Sequence, residues 1–142
     1  MANEFARNRQ DASLNPATFA LPTTLLVAGA TKSAAIDLGT DTVKPETIEV
    51  ELLVPTLNAT MAPAAATVGA TYEIFSSTSS TLASVAKTIA AVTTAGSASG
   101  IAQTVLRGRV PSDCARYIGA RVYISTTCTD ASAVAATLTL RF

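Results

Sequence analysis

The chain of 142 residues has no histidine and no tryptophan, only two cysteines, and charged side chains at just 14% of positions. Each shortage excludes something. Without histidine, neither a Ser/His/Asp triad nor a Cys/His pair can be assembled. Zinc sites of the usual kinds need more thiolate and imidazole ligands than two cysteines supply. An enzyme, a metal and a cofactor are therefore not expected. The lack of tryptophan and an aromatic content of 5% argue against a sugar-binding cleft. The charges cancel, ten basic against ten acidic. With no positive excess, general affinity for nucleic acid or an anionic membrane is not expected. No stretch approaches the ~20 apolar residues of a membrane helix. The opening "MANEFARNRQDASLNP" has no apolar h-region, so no secretory signal is expected. The sequon Asn58-Ala59-Thr60 then reads as a chance match.

Cys114 and Cys128 flank one strand-like segment, 116–126. An extended strand rises ~3.3 Å per residue, which places them roughly 40 Å apart. A disulfide needs Cα atoms within about 7 Å. Two free, buried thiols are expected, which fits a reducing cytoplasm.

Short motifs give no chemistry. "GSASG" has Ala98 where a nucleophile elbow needs serine. "GATKS" has Thr31 where a phosphate loop needs glycine before its lysine. Glu49 and Glu51 could sit about 7 Å apart on one strand face, as paired carboxylates do in glycosidases. A solvated strand face is the preferred explanation, and no small-molecule substrate is expected.

What the chain does have is alternation. In "ETIEVELLVP", Ile48, Val50, Leu52 and Val54 share one side, Glu49 and Glu51 the other, and Pro55 ends the run. "TTLLVAG", "SAAIDLGTD" and "TYEIFSS" read as further strands. In "IAQTVLRGRVP", Val105, Arg107 and Arg109 oppose Ala102, Leu106 and Val110. In "RYIGARVYIST", Ile118, Ala120, Val122 and Ile124 face inward, and Tyr117, Arg121 and Tyr123 outward. The Pro111 turn joins these two runs in a hairpin-like corner. "DASAVAATLTLRF" is the last strand. "TLASVAKTIAAVTTAG" has Leu82, Val85, Ile89 and Val92 at helical spacing, but its β-branched content favours a strand. Residues 1–21 show no period, so they are expected to be an extended N-terminal arm, with one domain over 22–142. The arm reads either as a disordered terminus or as a segment that orders on a neighbouring subunit. The expected fold is all-β: an antiparallel β-sandwich of jelly-roll or immunoglobulin type.

Charge is ordered along the chain. Residues 37–73 hold Asp37, Asp41, Glu46, Glu49, Glu51 and Glu73 against one base, Lys44. Residues 107–141 hold Arg107, Arg109, Arg116, Arg121 and Arg141 against Asp113 and Asp130. The two sets are expected to pair across neighbouring strands, or to orient the chain against a partner. Arginine and tyrosine dominate interface hot spots. Tyr117, Arg121 and Tyr123, with Arg7 and Arg9 on the arm, are therefore the candidate partner-contact residues. Nucleic-acid stacking on the tyrosines is the weaker reading, given zero net charge.

The order "TYEIFSSTSS", "AGSASG", "VLRGRVPSDCARYIGARVYISTT", "DASAVAATLTLRF" resembles the small capsid cement, or decoration, proteins of tailed bacteriophages. "VPSDCARYI" is its strongest element, and the resemblance covers roughly 22–142. It implies a jelly-roll-like sandwich on the outer surface of the phage head. Such a protein is made in the host cytoplasm and clamps neighbouring major capsid subunits, with copies of itself paired or tripled on local symmetry axes. A receptor- or glycan-binding module of a phage tail or fibre is the alternative.

Overall fold

The computed structural model describes residues 17–21, 32–39, 48–62, 67, 69–124 and 134–141. These residues form eight strands and no helix. In chain order they are β1 (Ala17–Ala20), β2 (Ile36–Asp37), β3 (Glu49–Val54), β4 (Gly69–Ser77), β5 (Lys87–Ala95), β6 (Thr104–Arg109), β7 (Tyr117–Ile124) and β8 (Ala135–Arg141).

Two antiparallel four-stranded sheets result, ordered β1-β8-β3-β6 (sheet 1) and β2-β7-β4-β5 (sheet 2). The pairing is nested. β4 pairs β5, β3 pairs β6, β2 pairs β7 and β1 pairs β8, as in one long hairpin. Contacts of β3 with β8 and β4 with β7 then roll that hairpin into two layers. This is the jelly-roll arrangement, and it settles the choice against the immunoglobulin type. Among consecutive strands only β4 and β5 share a sheet; every other connection crosses between layers.

The alternating pattern explains which side is buried. Val50, Leu52 and Val54 of β3, with Ala136, Leu138 and Leu140 of β8, meet Ala70, Tyr72 and Ile74 of β4 and Ile118, Ala120 and Val122 of β7. Each fully buried large aliphatic side chain here is worth about 1.5–3 kcal/mol over its exposed state. Tyr72 is the exception in chemistry. Its ring is fully buried, and its hydroxyl has no hydrogen-bond partner. Thr104 lies close enough to act on the phenol, but its own hydroxyl donates to the Ala102 carbonyl at 3.3 Å. Burial pushes the Tyr72 phenol up to about 12.

Several expectations shift. The arm does not extend to residue 21: Ala17–Ala20 pair with Ala135–Leu138 as an edge of sheet 1. Arg7 and Arg9 lie outside the described residues, as do "TTLLVAG" and Cys128. Cys114 is buried. The Pro111 turn is not a hairpin, because β6 belongs to sheet 1 and β7 to sheet 2. The strand expected over 81–94 begins only at Lys87. Before it, residues 78–86 form an irregular strap, in which Leu82 takes a left-handed φ of 54°.

Candidate interaction surface

The outer faces of both sheets carry the charged residues, and strand register decides who meets whom. On sheet 1, Glu51 of β3 lies opposite Arg107 of β6. Arg107 Nε donates to Glu51 Oε2 at 2.6 Å, and Arg141 Nη2 donates to Oε1 at 2.6 Å. The hydrogen bond from Arg141, together with that from Arg107, holds the Glu51 carboxyl below its ordinary value, against the opposing effect of burial. Glu49 lies 3.9 Å from Arg109 at the exposed end of the same ladder.

On sheet 2, Arg121 Nε donates to Glu73 Oε2 at 2.5 Å, and Thr88 donates to Glu73 Oε1 at 2.6 Å. This is the most buried pair, with side chains 19% and 7% exposed. The Arg121 guanidinium also lies over the rings of Phe75 and Tyr123, 5.4 and 5.5 Å from their centroids. Arg116 grips Asp37 with two hydrogen bonds of 2.8 and 2.7 Å and lies over the Tyr117 ring at 5.1 Å. Lys87 donates to both Asp113 oxygens, at 2.6 and 2.8 Å, and holds that carboxyl below its ordinary value.

The pairing expected from charge order is therefore realised. All five arginines of 107–141 meet acids drawn from Asp37, Glu49, Glu51 and Glu73. Asp41, Lys44, Glu46 and Asp130 lie outside the described residues. Tyr117, Arg121 and Tyr123 do share the outer face of β7, each half-buried. Arg121, however, spends its charge on Glu73. Its neighbours Tyr117 and Tyr123 keep exposed area.

The sequence reading missed what lies between them. Gly119 sits on the same face, and Leu82 of the strap lies directly on it. Leu82 and Phe75 are both buried outside the main core. Lys32 Nζ donates to the Leu82 carbonyl at 2.8 Å, and Ala86 N donates to Ser76 O at 2.8 Å, so the strap is tied down at two points. One signal was present: a glycine inside a strand marks a close approach.

A second feature is the β5 edge. Val92, on its core side opposite Tyr72, is 37% exposed, and Val105 on β6 is 44% exposed. β5 approaches β6 closely at Gly108, where an added Cβ would lie 2.9 Å from Ile89 Cγ2.

Among the described residues, no group of three or more His, Cys, Asp or Glu side chains is placed to hold a metal ion. No helix among them is long and apolar enough to cross a membrane. No protein-family model matches the chain, and a search of curated proteins finds no match.

Proposed function

We propose that this chain is a structural virion protein, a capsid cement or decoration protein. It binds the outer surface of a phage head, clamps neighbouring major capsid subunits and associates with copies of itself. One observation carries the reading: an eight-stranded jelly roll in which the five arginines of 107–141 are tied into ion pairs with acids of other strands. Paired charges, half-buried tyrosines and an open strand edge suit a broad protein contact better than catalysis. Jelly rolls recur in viral capsid proteins, although a fold alone does not define a role. The resemblance of the segment order to that of phage decoration proteins is consistent with the same choice. Repeated weak contacts to several subunits add up through avidity. What binds the assembled shell and not its separated parts stabilises the shell by mass action.

The test is co-sedimentation with purified heads. The chain is expected in the particle fraction, at a constant ratio to the major capsid protein. Its presence in lysate and absence from purified particles overturns the reading. Jelly rolls also serve as lectin domains, and Tyr117 and Tyr123 offer ring surface on one face. A saccharide signal on a glycan array, without head binding, transfers the protein to the alternative, a tail- or fibre-borne receptor- or glycan-binding module.

A further inference from the structure

The four sheet edges are guarded unequally among the described residues. In sheet 1, β1 spans four residues, and β6 carries Arg107 and Arg109. In sheet 2, β2 spans two. Short strands and edge charges are devices that keep edges from pairing with other chains. β5 has neither over most of its length. It runs nine residues, KTIAAVTTA, with its one charge at the first position. That charge, Lys87, is already tied to Asp113. The register shift against β4 falls between Ile74 and Phe75, leaving Ala90–Ala95 in regular pairing. The regular half is small and β-branched, lacks proline and is mostly exposed.

We propose that β5 is the contact edge for a second copy of this chain, joined antiparallel about a two-fold axis so that sheet 2 runs on into its counterpart. The proposal rests on the self-association in the reading above and assigns it to one edge.

Charge order selects this arrangement. With the axis at Ala91, Val92 or Thr93, Lys87 falls opposite Ala95, Ser97 or Ser99 of the other copy, all uncharged. A parallel, in-register pair sets Lys87 beside Lys87, and like charges directly opposite destabilise. With the axis at Val92, the antiparallel choice also sets the two Val92 side chains opposite one another, and β-branched cross-strand pairs stabilise. Such a contact is isologous and closed: once two edges meet, no third copy can add.

The test is sedimentation equilibrium of the full chain over micromolar concentrations. The wild type is expected at twice the 14.5 kDa chain mass. Ala91→Lys and Ala91→Glu should each weaken association by about tenfold or more, because like charges then meet across the axis. Mixing the two variants should restore the pair, which separates a charge effect from misfolding. As an independent reading, one of Ala91→Cys, Val92→Cys and Thr93→Cys, the residue on the axis, should cross-link chain to chain on mild oxidation. A monomeric wild type, or charge variants that keep the wild-type dimer, overturns the proposal, as does failure of all three cysteine variants to cross-link. Head co-sedimentation run in parallel separates the two claims. A dimer that ignores heads removes the cement role and leaves the β5 edge standing.

Discussion

Leu82 rests on Gly119. A Cβ added at Gly119 overlaps Leu82 Cδ1 and lies 2.9 Å from Cδ2. Gly119→Ala should therefore lift the strap over 78–86 at a cost of about 1–3 kcal/mol, the usual range for overpacking. Leu82→Ala alone is destabilising because it truncates a buried side chain. In combination the two should cost less than their sum, because the second removes the clash of the first. Urea denaturation of the four proteins measures this, and simple additivity rejects the contact as the cause.

The Glu73–Arg121 pair should outweigh the exposed pairs. Arg121→Met leaves a carboxylate 7% exposed without its cation. A loss of about 3 kcal/mol is expected, since breaking a buried pair strands a charge. Arg107→Met removes one of two arginines from Glu51, and Arg107 itself is largely solvated, so its cost should stay below about 1 kcal/mol. Thermal melts of the two variants rank them; equal losses contradict the assignment.

Acid should weaken the fold through Glu51. Its carboxyl is held below the ordinary 4.5, so the folded state favours the ionised form. The stability it lends is complete above 4.5 and is lost as pH falls through the lower folded value. Glu51→Gln should be less stable than wild type at neutral pH and should flatten the acid limb of a stability–pH profile. A wild-type acid limb retained in the variant assigns the effect to other carboxylates.

Base should act through Tyr72. Its phenol is raised from 10.0 to about 12, so the unfolded chain releases this proton first. Stability is complete below 10.0 and falls by up to about 1.4 kcal/mol per pH unit as pH rises toward the folded value. Tyr72→Phe removes a hydroxyl without a hydrogen-bond partner. It should be neutral or stabilising at pH 7 and less sensitive to alkali. Denaturation across this range checks both statements.

Much of this fold was legible in the sequence. Period-two alternation over Ile48–Val54 and Ile118–Val122 marked two central strands and their buried side, because one face of each meets the core. The block of acids before a block of arginines announced cross-strand pairing. Which acid meets which arginine was not legible. Glu51 collects partners 56 and 90 residues away, and only the rolled topology brings them together. β1 was hidden because a four-residue edge carries too little pattern to separate from the polar arm. The strap was hidden for a different reason. Leucine rarely adopts a positive φ, so nothing local foretold the turn at Leu82. Gly119 pointed to a close approach without saying what approaches.

The first and last strands of this jelly roll are neighbours. Thr18 and Thr137 face one another across 119 residues of chain. During synthesis, then, β1 waits for β8, made more than a hundred residues later. Sheet 1 stays open until β8 leaves the ribosome, and β3 meanwhile lacks one of its two flanking strands. Among the described strands, only β4 and β5 are adjacent in both chain and sheet and can pair early. Folding should accordingly be slow, in the millisecond-to-second class of non-local β-topologies.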